Sequence, residues 1–243
     1  MSRPELRIGC SGWLYRHWRG DFYPAGLRQK DELSFYTGRF DTAEINASFY
    51  RMPGETAAAS WRERTPEDFV FAWKAWRFIT HLKRLRDPEE PVAFMMARAR
   101  DLGPKLGPLL YQLPPGMKVD RDRLAAFLGV LPKGFRHAFE FRHPSWYEPA
   151  VIELLREHDA SLVISDHHHA PAPWEATASW VYVRGHGPGG HYWGDYPEET
   201  LIDWAARVQS WRSEGRTVFC YLDNDIGGAA PRDARRLKQM LNP

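Results

Sequence analysis

Eight short apolar runs, each set off by a longer amphipathic or polar stretch, constrain this chain more than any other feature. They are LRIGCS (6–11), TAEINAS (42–48), FVFAWKA (69–75), PLLYQL (108–113), HAFEFR (137–142), SLVISD (161–166), WVYVRGH (180–186) and TVFCYLD (217–223). Runs this short, rich in β-branched and aromatic residues, read as buried strands. Between them apolar residues recur at helical spacing. In 120–131 the stripe is Leu124, Phe127, Leu128 and Leu131, behind Asp120 as a candidate N-cap. Similar stripes fall in 88–101, 147–158, 198–211 and 229–241. The segment HHHAPAPWEATAS (167–179) reads as a loop where a sixth helix is expected.

Strands that alternate with helices pair in parallel through right-handed crossovers. A closed (β/α)8 barrel takes about 250 residues, and the chain has 243. The open doubly wound alternative calls for a Gly-rich phosphate turn after the first strand, and GCSGW lacks that spacing. The expected fold is therefore α/β, a single TIM-barrel domain over 1–243. It has a parallel, closed eight-stranded sheet and an irregular sixth α segment.

A formal net charge of +2 argues against a whole-surface nucleic-acid binder and leaves room only for a local basic groove. Cys10 and Cys220 both sit inside predicted strands and read as buried thiols. The start MSRPELRIGC carries no long apolar segment, and no run approaches the roughly 20 residues that span a bilayer. The expected location is cytoplasmic, with no membrane partner.

Alternate residues of a barrel strand face inward, and those near its C-terminal end face the site. By that rule Glu44, Asn46 and Ser48 share a face on the second strand, Lys74 ends the third and Gln112 the fourth. Glu140 and Arg142 share a face on the fifth. Asp166 ends the sixth, Arg184 and His186 the seventh, and Asp223, Asn224 and Asp225 follow the eighth. Polar residues thus gather at one end of nearly every apolar run. The bland alternative is a plug of ion pairs, such as Glu44 with Lys74 and Glu140 with Arg142. Trp13, Tyr15, Trp18, Phe22 and Tyr23 crowd the stretch after the first strand. They suit either a packed mini-core or a stacking surface for a base or sugar, with Arg16, His17 and Arg19 near a phosphate.

The segments IGCSGW, EINASFYRMP, FAWKAWRFITH, LGPLLYQLPP, FEFRHPSW, VYVRGHG and YLDNDIGGAAPRDARRL together resemble the YecE-like family, TIM barrels filed as a domain of unknown function. The likeness runs nearly end to end and implies the barrel. Its matching motif positions are Glu44, Asn46, Tyr50, Lys74, Thr80, His81, Gln112, Glu140, Arg142, His143, Asp166, Arg184, Asn224 and Asp225. Leu222 and Asp223 depart from a more usual Phe-Asn pair, so the resemblance implies no role for Asp223. At the level of fold the family is similar to metal-dependent sugar isomerases and abasic-site endonucleases, by analogy alone.

Three functional expectations follow. The first is an acid–base enzyme (hydrolase, lyase or isomerase) acting on an anionic, phosphorylated or nucleotide-like small molecule. Glu44, Glu140, Lys74, His81 and His143 would be its catalytic groups, one glutamate ionised and the other raised by burial. Trp13, Asn46, Tyr50, Gln112, Arg142, Asp166, Arg184, Asn224 and Asp225 would bind substrate, the arginines clamping an anion. A sharper variant makes Lys74 a Schiff-base amine, which requires a depressed pKa in a dry pocket. The second expectation is divalent-metal chemistry on Glu44, Glu140, Asp166, Asp223 and a histidine, although neighbouring cations compete with a metal. The histidines of DHHH (166–169) suit a solvated loop better than one ion. No cofactor is otherwise expected. The third is a nucleic-acid or nucleotide binding module without turnover, whose binding would fall steeply with salt.

Overall fold

The computed structural model describes residues 4–241. The two ends of the 1–243 span lie outside the described residues. The strands are β1 (Leu6–Ser11), β2 (Thr42–Ile45), β3 (Val70–Lys74), β4 (Leu106–Gln112), β5 (His137–Glu140), β6 (Ser161–Ser165), β7 (Trp180–Gly185) and β8 (Thr217–Leu222). All neighbours pair in parallel, and β8 returns to β1 to close the barrel in sequence order. The helices are α1 (Glu32–Thr37), α2 (Ala47–Tyr50), α3 (Ala57–Glu63), α4 (Glu89–Ala99), α5 (Arg121–Val130), α6 (Pro149–Glu157), α7 (Glu198–Ser213) and α8 (Ala229–Leu241). The expected (β/α)8 barrel is present. No helix joins β6 to β7, as the composition of 167–179 indicates. No helix among the described residues is long and apolar enough to cross a membrane.

Strand alternation separates two cores. Ala72, Leu110, Ala138, Val163, Trp180, Tyr182, Phe219 and Tyr221 fill the barrel. Their neighbours Trp73, Leu109, Tyr111, Phe139, Ile164, Val181, Val183 and Cys220 point outward and meet the helices. Each fully buried large side chain contributes about 2–3 kcal/mol. Asp120 caps α5 as expected, its Oδ1 accepting from Arg123 N at 3.0 Å. After β5, Trp146 stacks on Phe141 with centroids 4.7 Å apart, and its Nε1 donates to Met117 O.

Two boundaries differ from expectation. β2 stops at Ile45 rather than residue 48, where Ser48 Oγ shares its one proton between Lys74 O at 2.6 Å and Ile45 O at 2.9 Å. A hydroxyl that bonds nearby carbonyls favours a turn over a ladder. Short helices α1, α2 and α3 and a single π-helical turn at Phe78–Leu82 carry the chain where the apolar spacing is too brief to mark them. The aromatic stretch after β1 is a packed mini-core. Trp18 lies between Tyr15 and Phe22, Phe22 touches Phe35, Tyr36 and Phe40, and Trp18 and Tyr23 are fully buried. Trp18, Phe22 and Tyr23 are thus packed against their neighbours, while Trp13 and Tyr15 line a pocket beside the β1 end.

Candidate active site

The inward positions at the C-terminal ends of β1, β2, β5, β7 and β8 converge on one guanidinium. Arg184 ends the inward row Trp180, Tyr182, Arg184 of β7 and is fully buried. It donates to Glu44 through Nε at 3.0 Å and Nη2 at 2.7 Å, to Glu140 at 2.8 Å, to Asp223 at 2.8 Å and to Ser11 Oγ at 3.1 Å. Glu44 is completed by Tyr182 Oη at 2.6 Å and Ser11 Oγ at 2.8 Å. Glu140 also takes Arg142, whose remaining nitrogens reach Tyr192 Oη and His186 Nε2 at 3.0 Å. A buried charge without such partners would cost several kcal/mol.

His186 is fully buried, and burial holds its pKa well below the usual value. Its Nε2 faces two guanidinium groups, at 3.0 and 3.2 Å, so this nitrogen accepts. The proton is therefore on Nδ1, directed at Asp166 Oδ1 at 3.2 Å. Asp166 also accepts from His186 N and Tyr196 Oη, and burial pushes its carboxyl up to about 6.

Lys74 stands apart from this lattice. Its side chain is 8% exposed, its Nζ lies 4.7 Å from the Phe49 ring centroid, and it makes no side-chain hydrogen bond or ion pair among the described residues. Burial, then the Arg184 charge, lowers its pKa to about 8. His81 packs against the same Phe49 ring in a T-shaped contact at 4.9 Å, with Nδ1 2.9 Å from Thr80 Oγ1. Burial and the charges of Lys74, Arg77 and Arg142 push His81 down to about 4. At neutral pH the mouth thus holds a neutral imidazole beside an amine that is partly deprotonated.

A family model described as a protein of unknown function, DUF72, matches residues 7–243. The chain belongs to the DUF72 family. It is 26% identical to the UPF0759 protein YunF of Bacillus subtilis over 98% of this chain and 95% of that one. It is 29% identical to the UPF0759 protein YecE of Escherichia coli, over 69% of this chain and 62% of that one. A crystal structure of a DUF72 protein from Thermotoga maritima superposes with a TM-score of 0.87 at 26% identity, covering 98% of this chain and all of that one. One from Enterococcus faecalis gives 0.83 at 21% identity, over 98% and 96% of the two chains, and supports the fold. The YecE-like resemblance read from the motifs is therefore the family itself.

Within this DUF72 barrel the expected residues divide into a floor, a rim and a flank. Glu44, Glu140, Arg142 and Arg184 form the buried floor, with Asp223 at its edge. The expected hollow is thus largely filled by side chains. Glu44 pairs with Arg184 rather than Lys74, whereas the Glu140–Arg142 pair is present. Glu140 is held well below the usual carboxylate range by Arg142 and Arg184, which outweigh its burial. It does not supply a raised acid. The raised carboxyls are Asp166, Asp223, Asp233, and Asp225 at about 7, all chiefly through burial.

Asn46, His81, Gln112, Asp166 and Asp225 are half-buried on the rim. His81, expected to shuttle protons near neutral pH, stays neutral there instead. His143 spends Nδ1 on Ser145 N, at 3.2 Å, and Ser145 Oγ, which is the geometry of a helix cap. Asn224 points its amide at Gly194 O and Asp233, each 2.8 Å away. Every nitrogen of both arginines meets a partner within the protein, Arg142 through Glu140, Tyr192 and His186, and Arg184 through Glu44, Glu140 and Asp223. Arg184 occupies the space between Glu44, Glu140 and Asp223 that a cation would need, and no group of three His, Cys, Asp or Glu among the described residues could hold a metal ion. Of the three adjacent histidines, His168 and His169 are exposed, while His167 is buried against His186 and Tyr192. Trp13 and Tyr50 lie on the flank, lining a pocket beside the β1 and β2 ends.

Five contributors escaped the candidate list. Tyr182 and Ser11 were legible as inward positions two residues before Arg184 and at the end of β1. Asp223 and His186 were visible on the same rule, but motif likeness drew weight away from Asp223. Tyr192 comes from the β7–α7 loop with φ 69, and nothing in its spacing marks it.

Proposed function

We propose that this protein is an acid–base enzyme of the lyase or isomerase type that acts on a small carbonyl compound at the C-terminal mouth of the barrel, with Lys74 as the reacting amine. The contrast between its two buried lysines carries this reading. Lys105 spends its ammonium on Arg62 O at 2.5 Å, Thr65 O at 2.7 Å and Thr65 Oγ1 at 3.1 Å. Lys74 is 8% exposed against 7% for Lys105, yet among the described residues no hydrogen bond or ion pair receives its ammonium, which lies over the Phe49 ring at 4.7 Å. A mostly buried lysine whose ammonium is given no hydrogen-bond partner by the fold is costly to keep, and such groups cluster at functional sites.

With a pKa of about 8, about a tenth of the molecules carry the free amine at pH 7, against well under one in a thousand for an ordinary lysine. The nitrogen lone pair attacks the carbonyl carbon, and the C=O π pair moves to oxygen, which takes a proton. Loss of water leaves a protonated imine, the electron sink for removing a proton from the adjacent carbon. His81, neutral and packed on the same Phe49 ring, is the base that takes that proton in this reading. The proton that the departing oxygen needs balances the one that Lys74 releases on becoming the free amine. The Arg184 lattice acts as a rigid floor that holds Glu44, Glu140 and Asp223 in place.

The test is reductive trapping. The protein is incubated with propanal or glyoxylate and sodium cyanoborohydride at pH 7, then mapped by peptide mass spectrometry. Lys74 should be alkylated well before the exposed lysines, with glyoxylate faster if the substrate is anionic. Labelling that follows exposure and spares Lys74 would defeat the reading.

A further inference from the structure

The loop between β3 and α4 holds its backbone in a costly shape. Arg84, Leu85 and Asp87 have φ of 49, 66 and 42, a left-handed region that residues other than glycine seldom enter. Three contacts fix it. Leu85 is 2% exposed, and its N donates to Ile79 O at 2.9 Å. Lys83 N donates to Phe78 O at 2.8 Å and closes the π-helical turn, while Lys83 Nζ reaches Asp87 at 3.1 Å. Arg84 and Arg86 are exposed on either side of buried Leu85. Backbone strain of this kind gathers at ligand clamps and switch regions.

Arg77 immediately precedes the π-helical turn and Arg84 follows its end. Both are exposed, and among the described residues no hydrogen bond or ion pair takes either guanidinium. Other solvent-facing arginines do have partners. Arg28 meets Asp31 at 2.7 Å, Arg156 meets Glu153 at 3.2 Å and Arg207 meets Asp203 at 2.8 Å. The acids that could have served Arg77 and Arg84 go elsewhere, Asp87 to Lys83 and Glu55 to Arg98. The two charges also bear on the site described above. The four that act most strongly on His81 are Lys74, Arg77, Arg142 and Arg84, all of them cations. His81 shares the Phe49 ring with Lys74. Arg142 is already spent on Glu140, Tyr192 and His186. Arg77 and Arg84 are therefore left as cations near His81 with no anion to face.

We infer that Arg77 and Arg84 form an anion subsite on the rim and hold the phosphate of a phosphorylated aldehyde or ketone whose carbonyl reacts at Lys74. The planar guanidinium fork matches phosphate oxygens. Two such forks suit the charge of a phosphate monoester, about −1.5 to −2 at pH 7, better than the single charge of a carboxylate. The inference rests on the Lys74 reading for the carbonyl, whereas the anion site stands on the two arginines alone.

Inorganic phosphate tests the anion site by itself. Titrated at pH 7 and followed by the guanidinium carbon resonances of 13C-arginine-labelled protein, it should shift Arg77 and Arg84 saturably. Arg77→Gln and Arg84→Asn should each weaken it roughly tenfold; asparagine tolerates the left-handed backbone at 84. Arg86→Gln removes another exposed arginine of the same loop and should change it by less than about twofold. A loss in Arg86→Gln as large as in Arg84→Asn would mean diffuse attraction and overturn the site. Glycolaldehyde and its phosphate ester, each with cyanoborohydride, then join the site to the amine. The ester should label Lys74 roughly tenfold faster, and Arg77→Gln should erase that advantage. Lys74 labelling at equal rates by the two aldehydes, or no shift of Arg77 and Arg84 by phosphate, removes the subsite and leaves the amine. Saturable arginine shifts with no Lys74 labelling by either aldehyde remove the amine reading and leave the anion site.

Discussion

Arg184 binds Glu44 side by side, Nε to one carboxylate oxygen at 3.0 Å and Nη2 to the other at 2.7 Å, in a layer where both side chains are sealed from solvent. The same guanidinium serves Glu140 and Asp223. Removing it would strand three acidic groups around an apolar gap. Arg184→Met should therefore destabilise the protein by about 3–5 kcal/mol, read as a lowered urea midpoint with unchanged slope. Arg184→Lys should recover little, because an ammonium cannot reproduce the paired fork. A midpoint within experimental error of the parent in Arg184→Met would show that the lattice is not what holds the barrel mouth.

Lys74 makes the opposite prediction. Its folded pKa of about 8 lies below the ordinary 10.5. Below pH 8 both states hold the proton and burial of the charge costs stability. Between pH 8 and 10.5 the unfolded chain holds a proton that the folded one has released, so this contribution to stability rises with pH. Lys74→Met removes the cost and should stabilise the fold at pH 7 by about 1–3 kcal/mol, while ending aldehyde trapping. The gain should shrink toward pH 10.5. The buried tyrosines and cysteines also titrate on that side, with raised pKa values, so the difference between parent and variant carries the test. A variant less stable than the parent at pH 7 would contradict it.

The fold was readable because every strand is a run with an inward and an outward row, and because most gaps carry a helical stripe. The gap at 167–179 was readable by the same rule, from its proline and histidine content. The convergence of Glu44, Glu140, Arg142 and Arg184 followed from the two-residue period of strands meeting the C-terminal end of a barrel. Which acid pairs with which base did not follow. Sequence placed Glu44 near Lys74 because adjacent strands carry them, whereas Arg184 reaches across the barrel axis. Distances across a closed sheet depend on tilt and stagger, which residue order does not state. His143 misled for a local reason: a histidine after a strand looks alike whether it faces substrate or caps the next turn.

Asp225 offers a pH probe on the rim. Burial, then the Asp223 charge, pushes its carboxyl up to about 7. Between the ordinary value of 3.8 and 7 the folded protein keeps a proton that the unfolded chain has lost, so this group's contribution to stability falls as pH rises through that window. In carbon NMR the Asp225 carboxyl should titrate near pH 7. Asp223→Asn should move that midpoint down without restoring the ordinary value, since burial remains. An unchanged midpoint in Asp223→Asn would remove the coupling between the two.

His143 tests whether position near the mouth implies participation. Its Nδ1 accepts from Ser145 N at 3.2 Å and lies 2.9 Å from Ser145 Oγ, at the start of the turn Pro144–Trp146. That turn seats Trp146 on Phe141. A lost cap costs about 0.5–2 kcal/mol, so His143→Ala should lower the urea midpoint by that amount. His143→Asn, which keeps an acceptor at the cap, should restore most of it. Neither should change the rate of Lys74 trapping by propanal at pH 7 once the protein is folded, because His81 and not His143 shares the Phe49 ring with the amine. A tenfold fall in trapping rate with stability intact in His143→Asn would move His143 from the scaffold into the chemistry.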